Sequence, residues 1–586
     1  MEQRVGGRIV LSPRPLARRA AALPAALLGH CPGRVRLERL LPLGSMLDEM
    51  RGAGDGARVD ELLALSELLS RLRSQPAPAP VVAAAQVVAT RRADAGAAGI
   101  LLPARVDAEL GEPVRAQLLA AGLGDYVDAA STLRLFLGDP ANASLVPAAV
   151  NALASEVGAL YHLPLPLRSS AEFHDVFPDA GDAECAYASA LAGSRAWLAR
   201  AVDDYFVNGG ETAWVLRIPE RSGAAGFLSL DDRAVHPATA DRSALRGVAA
   251  ALAVPSIAVL ALPDLERLQI PANLAEPPAF RPQNPAPTFL PLSSPAEPTS
   301  SAPVTAPSPA APEPLAAVLA AVLPLLEKHR PDVQLLLSLP LAHSSQTDFP
   351  ALDPDALSAI AGVKQHPGGR ALRHVQLLFP YLRAPGSALH SAVGAIAGLQ
   401  AYVARRTGPW GSIAARPLVT DATPYPHVEQ PDAVRLREDP GVGVLLRRRG
   451  LVSVDDERLV VPALHPDDYA GALEPRRFDG FRSAEVMRFL GFLRRQLRAL
   501  GEVLLFEVDH RDARLRILLD RFFRQLHARG ALRGALPEQA YALTERRAPD
   551  GVLAVDISIA PSFPIDRLRL TFADADGGWG LEVAGE

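Results

Sequence analysis

Short apolar runs recur through the middle of the chain at lengths that suit a buried sheet. Ile257 to Leu262, Val333 to Leu339 and Val375 to Phe379 are bounded by prolines, and runs of about four to eight residues fit strands buried on both faces. Before them, residues 191–207 place Trp197, Leu198, Val202, Tyr205 and Phe206 on one stripe, which predicts a helix. It closes at Asn208-Gly209-Gly210, where glycine can take the positive φ that ends a helix. Thr212 to Ile218 then reads as a strand. The pattern predicts a central α/β domain. Further on, residues 482–500 carry Val486, Phe489, Leu490, Leu493 and Leu497 on one helical stripe, with Arg482, Arg488, Arg494, Arg495 and Arg498 off it. A second helix is predicted over 511–528, with Leu515, Leu519, Phe522, Phe523 and Leu526 inward. Alternating strands follow at Val552 to Ile559, Arg567 to Phe572 and Trp579 to Val583, an α+β arrangement with a sheet edge open to another chain.

The rest of the chain divides by composition. Residues 1–130 are rich in Ala, Leu and Arg with amphipathic stretches such as Leu62 to Leu72, and read as a mostly helical N-terminal extension with no assignable function. Residues 266–315 are Pro/Ala/Ser-rich, and proline lacks the amide donor that a helix or ladder needs, so they read as an extended insertion or linker. The α/β domain is expected in two parts, 131–265 and 316–465. The C-terminal domain spans 466–573, and 574–586 is an arm.

Composition narrows the function classes. A chain of 586 residues is long enough for several cores. No apolar run of about 18 residues suits a membrane span. Arginines 14, 18 and 19 before Ala20 to Leu28 mimic a short secretory signal, but Pro24 breaks the stretch and no small-residue cleavage pattern follows. Cytoplasmic synthesis is expected. A net charge of −5 gives no overall pull towards nucleic acid or an anionic membrane. Two cysteines, Cys31 and Cys185, are too few for a disulfide framework or a cysteine zinc site. The positive charge is nearly all arginine, clustered at Arg447 to Arg449 and along 482–498, and such a cluster is either a solvated face or a docking surface for an acidic partner.

A search for bond-making chemistry ends without a constellation. The phosphate loop G-x-x-x-x-G-K-[ST], the H-E-x-x-H helix and the G-x-S-x-G elbow are all missing. Gly52, Gly54 and Gly56 lack the dinucleotide spacing and read as a turn. His343 with Ser344 and Ser345 has no identifiable orienting acid and reads as a loop. Asp203 and Asp204, adjacent on a helix, cannot both face one substrate, so solvation or salt bridging is the better reading. Asn142-Ala143-Ser144 is a glycosylation sequon only in a secretory route. No catalytic, cofactor or metal site is expected.

What carries information is a distributed resemblance. The stretch from Pro166 to Ile218, PLRSSAEFHDVFPDA followed by WLARAVDDYFVNGGETAWVLRI, resembles the contractile tail-sheath family, which carries a segment ending in Phe, a helix ending in FF.NGG and a strand of the form yvvRv. Ser170, Phe173 and Phe177, then Tyr205, Phe206, Asn208, Gly209 and Gly210, then Val215 and Arg217 match in order and spacing. Val254 to Leu265, Arg330 to Pro340, His374 to Pro385 and Ser391 to Pro417, with Gly398, Arg405 and Trp410, are similar to successive sheath segments. Glu502 to Gly534 and Ile557 to Phe572 resemble its closing domain. The likeness covers roughly residues 160 to 583. It departs from the family where GarTl is expected: Leu446 to Leu459 reads LRRRGLVSVDDERL, and the N-terminal tPGVyveE arm has only a faint counterpart in Cys31 to Glu38.

The resemblance implies a non-enzymatic structural subunit that polymerises with its own copies as stacked hexameric rings around an inner tube, with baseplate, cap and paralogous sheath proteins as further partners. It also implies a multidomain sheath-like fold and a place in a phage tail or injection particle assembled in the bacterial cytoplasm. Neither nucleic acid nor membrane insertion is expected. On this reading Arg488, Arg494, Arg495 and Arg498 face the tube, and Trp579, Leu581 and Val583 form an arm strand lent to a neighbour. The alternatives are a non-contracting cap, collar or baseplate-proximal relative, and an α/β enzyme with an unrecognised site.

Overall fold

A computed structural model describes residues 23–33, 35–36, 39, 49–51, 56–74, 77–93, 112–137, 139, 142, 161–182, 184–228, 245–274, 312–342, 352–365, 367–461, 482–507, 514–547, 553–562, 568–575 and 578–583. Most of the Pro/Ala/Ser-rich insertion, the His343 loop, Gly52 and Gly54, and most of the sequon lie outside them. The described chain divides into two compact units, one of residues 24–400 and 412–491, the other of residues 401–411 and 492–585.

The larger unit is built on an eight-stranded mixed sheet. Six strands run parallel: Gly443–Arg448, Val375–Phe379, Gln334–Ser338, Val259–Ala261, Ala25–His30 and Ala213–Ile218, in that spatial order. Antiparallel strands Leu451–Val454 and Leu165–Leu167 close the two edges. The predicted buried runs are here, and the residues of their strands are fully buried, because helices cover a parallel sheet on both faces. Ordered by sequence, the parallel strands read 6-5-4-3-1-2, a doubly wound arrangement with its switch point beside the strand Ala25–His30.

That strand differs from the sequence expectation. Ala25–His30 lies inside the stretch read as a helical extension with a signal-like apolar run, yet it is a central strand, paired in register with Ala213–Ile218 on one side and Val259–Ala261 on the other. The helices Gly56–Ser74, Ala79–Ala93, Glu112–Ala120 and Gly124–Leu137 therefore belong to a long excursion between the first and second strands of the sheet.

The smaller unit is α+β. A four-stranded antiparallel meander, Tyr541–Arg547, Leu553–Ile559, Leu568–Ala575 and Gly578–Val583, accompanies the helix Arg514–Ala528, which begins and ends close to its predicted bounds. The helix predicted over 482–500 runs further, as Ala484–Glu507. Phe492, Phe522, Phe523 and Tyr541 form a chain of ring contacts at 5.1 to 6.5 Å between centroids, and Val555, Ile557, Ile559, Leu570 and Phe572 alternate inward from the sheet.

Candidate assembly interface

Several residues singled out in the sequence lie on or beside one helix, Leu198–Val207. Asn208 caps its end: its side-chain amide donates to Asp204 O at 2.8 Å and to Val419 O at 3.1 Å, and accepts from Val419 N at 2.8 Å. One amide side chain thus ends a helix and pairs a distant loop as a strand would. Gly209 follows at φ +97°, and Gly210 lies against Tyr205, where a Cβ would come within 2.1 Å of the ring. Gly398 lets a second helix, Val393–Arg406, approach so closely that a Cβ there would meet Tyr205 O at 2.2 Å. Phe173 and Phe177 are buried with ring centroids 5.3 Å apart, while Phe206 is half-buried against Tyr205. Arg217, also buried, donates to Cys31 O at 2.7 Å and lies 4.3 Å over Tyr161, fastening the segment that leaves the first strand. Trp410, half-buried in the smaller unit, closes over Gly408. All of these residues organise the fold.

At the switch point, where doubly wound sheets receive ligands, the chain supplies its own anion. Asp264 is fully buried and accepts from His30 N at 2.9 Å, Trp197 N at 2.8 Å, Leu198 N at 3.0 Å and Arg267 Nε at 3.1 Å. Its carboxylate sits at the start of the helix Leu198–Val207, where backbone N–H groups favour negative charge. Burial lowers the pKa of His30, whose ring stands 3.2 Å from Arg267 Nη2 and so accepts from it as neutral imidazole. Nearby, burial pushes Glu266 up to about 7 while Ser338 N donates to it at 2.9 Å. Among the described residues no group of three or more His, Cys, Asp or Glu side chains could hold a metal ion, and no helix is long and apolar enough to cross a membrane.

The arginines of the long helix part company. Arg488 is buried and gives a two-pronged ion pair to Glu457, at 2.6 and 3.0 Å; Glu457 also accepts from Ile413 N and Ser412 Oγ. Its charge is engaged inside the larger unit. Arg494 is also buried, at 7% exposure, whereas Arg495 and Arg498 are half-exposed. The stretch holding Trp579, Leu581 and Val583 is the strand Gly578–Val583, paired along its length with Leu568–Ala575 of its own chain and forming one edge of the meander. Asp203 and Asp204 take the salt-bridged reading: Asp203 accepts from Ser170 Oγ and pairs with His174 at 2.9 Å, and Asp204 pairs with Arg200 at 3.0 Å, its pKa raised to about 6 by burial.

No protein-family model matches the chain, and no curated protein matches it. Among solved structures, the contracted helical sheath of the anti-feeding prophage is 17% identical, with 70% of this chain and 86% of that one covered and a TM-score of 0.42. The contracted sheath complex of the extracellular contractile injection system PVC is 13% identical, covering 69% and 85%, at 0.39. A crystal structure of the sheath tail protein of Listeria innocua is 11% identical, covering 44% and 52%, at 0.30. The likeness is to contractile tail-sheath proteins.

Several residues that hold the larger unit together leave little trace in the sequence. Asp264 and Arg267 stand in LPDLERL, where Pro263 opens a helix and the charges look like a solvated helix face. Arg330 donates to Leu252 O, Val254 O and Ile257 O and pairs with Asp332, holding the end of the helix Gly247–Leu252. Only its place before a Pro-Asp turn and a buried strand hints at a structural role.

Proposed function

We propose that this chain is a sheath subunit of a contractile tail or injection machine, polymerising around an inner tube as stacked rings and contracting to drive the tube through a target envelope. The observation that carries the reading is that Phe173, Phe177, Asn208, Gly209 and Gly210, which match the sheath pattern in order, lie on two segments joined at Asp203, while Arg217, the next match, binds Cys31 O in the same unit. A self-supplied carboxylate at the sheet's switch point agrees with a protein whose work is mechanical.

The link between subunits is β-augmentation at the meander. Among the described residues its outer strands, Gly578–Val583 and Tyr541–Arg547, each pair on one side only, and an added strand contributes several backbone hydrogen bonds at a net ~0.5–1.5 kcal/mol each. Links of this size, repeated around every ring, hold a lattice while rigid bodies rotate between an extended and a compact array. Tube contact falls to Arg495 and Arg498, since Arg488 and Arg494 are buried. Assembly takes place in the bacterial cytoplasm, with baseplate and cap proteins at the ends.

The test is negative-stain microscopy of the full chain mixed with its tube protein. Striated cylinders are expected. Truncation after Asp576 is expected to leave folded, unpolymerised chains, and the double variant Arg495→Glu, Arg498→Glu to polymerise without enclosing tubes. A wild-type chain that leaves tubes bare ends the sheath reading.

A further inference from the structure

The hairpin of strands Gly443–Arg448 and Leu451–Val454 ends the eight-stranded sheet, its base buried and its outer strand bonded to Ala415 and Leu418, with its tip exposed. Only Gly443 and Val444 pair with the neighbouring strand Val375–Phe379; the next four residues continue against Leu451–Val454 alone. This ribbon carries Arg447, Arg448 and Arg449, all exposed, and Leu451 at 56% exposure. Its turn holds Arg449 at φ +52° and Gly450 at φ +83°, the primed geometry that Asn-Gly or Gly-Gly serves best. An arginine accepts the left-handed conformation at a cost, with its side chain in solvent. Arg448 is partly engaged, donating to Asp455 at 2.5 Å and Gln430 at 2.9 Å.

At the opposite edge of the same sheet the sign reverses. The strand Leu165–Leu167 leads into the helix Ser170–Val176 and the turn after it, where Asp175, Asp182 and Glu184 are exposed and Asp179 half-exposed. Arg195 offsets them in part, 3.4 Å from Asp182 in a well-exposed pair. Eight strands at ~4.8 Å spacing set the two edges roughly 34 Å apart. Unlike patches on opposite edges cannot satisfy each other within one chain, and they suit a head-to-tail contact, the kind that generates rings or helical arrays.

We propose that the arginine hairpin of one copy docks on the acidic helix and turn, residues 175–184, of a second copy, forming a charge-complementary contact distinct from strand exchange at the meander. The proposal rests on the sheath reading only in taking a second copy as partner. The competing occupation of the hairpin is edge protection, in which charge merely keeps its exposed tip from pairing with strands of other chains.

Sedimentation of the purified full chain separates these. Wild-type self-association is expected to weaken between low salt and ~0.3 M salt as screening shortens the reach of charge. The double variants Arg447→Glu, Arg449→Glu and Asp175→Arg, Asp182→Arg are each expected to lose at least ~tenfold in association constant, with circular-dichroism melting like wild type. Mixed in equal amounts, they are expected to regain it, because each reversed patch now meets a complementary one. Edge protection predicts that glutamates serve as well as arginines, so undiminished association of the first variant overturns the proposal, as does a mixture of folded variants that fails to associate. Restored association without cylinders around the tube removes the sheath reading and leaves this contact; cylinders from the unmixed Arg447→Glu, Arg449→Glu variant do the opposite.

Discussion

The two units differ in the ion pairs they bury: the larger one carries exposed pairs such as Arg195 with Asp182, and buried ones besides. In the larger one, Asp264 with Arg267, Arg330 with Asp332 and Glu457 with Arg488 are buried pairs whose remaining polar atoms bind backbone groups from distant segments. In the smaller one, Arg524 with Asp520 and Arg546 with Asp556 lie in solvent on either side of an aromatic and aliphatic core. A buried pair contributes little net energy but punishes every arrangement that separates its members, so the first kind fixes one geometry. The exposed kind leaves a sheet edge soluble without fixing anything. One unit is therefore pinned from within by charge, and the core of the other rests on aromatic and aliphatic contacts.

The strongest way to break this comparison is at the switch point. Asp264→Ala strands Arg267 in a fully buried site and orphans three backbone N–H groups. Removing one member of such a pair costs ~3–5 kcal/mol, read as a fall in the urea midpoint of the full chain's transition reported by Trp197 and Trp214 fluorescence. A loss below ~1 kcal/mol, the surface-pair range, puts Asp264 in the exposed class and dissolves the contrast.

The next largest effect sharpens it through pH. Glu266 rises from an ordinary 4.5 to about 7 because burial disfavours its charge. A carboxyl with a raised folded pKa binds more protons in the native state, so its contribution is complete below pH 4.5 and disappears as pH climbs through about 7. Glu485, also pushed up to about 7 by burial and by Glu457, adds in the same direction. Between about pH 8 and pH 6.5 the larger unit is therefore expected to gain stability on acidification. Below that, His30 and His390, both lowered by burial, oppose the gain. Glu266→Gln is expected to flatten the rise and to stabilise the chain at pH 8 by ~3–4 kcal/mol, since each tenfold change in proton affinity between the unfolded and folded chain corresponds to ~1.4 kcal/mol. An unchanged pH slope counts against the buried acid.

Local signals in the sequence carry much of the fold and little of its wiring. The helix end at Asn208-Gly209-Gly210 and the strand Val375–Phe379 are legible because a glycine C-cap and a proline-bounded apolar run are set by neighbours in the chain. The strand Ala25–His30 is hidden because its partners lie some 190 and 230 residues away, and its apolar run after arginines fits a leader as well as a strand. Arg488 misleads for the same reason. Its helical position is off the apolar stripe, and Glu457, from a loop preceding the helix, engages it out of solvent.

The smallest effect tests the smaller unit. Arg546 stands on the outer strand Tyr541–Arg547, its side chain 59% exposed and 3.4 Å from Asp556. Asp556 keeps a second partner, Thr571 Oγ1 at 2.9 Å. Losing the guanidinium therefore leaves no buried group unsatisfied, and an exposed pair contributes ~0–1 kcal/mol. Arg546→Ala is expected to leave the thermal midpoint of the full chain within ~2 °C, since the shift per kcal/mol is ~2–4 °C for chains of about 150–250 residues and falls further with length. If the sheet edge is a place for added strands, the same variant increases light scattering on storage, since it removes a charge that discourages unplanned pairing. A clear drop in midpoint with no gain in scattering makes Arg546 a structural residue like Arg488, and the division of labour between the two units fails at its weakest point.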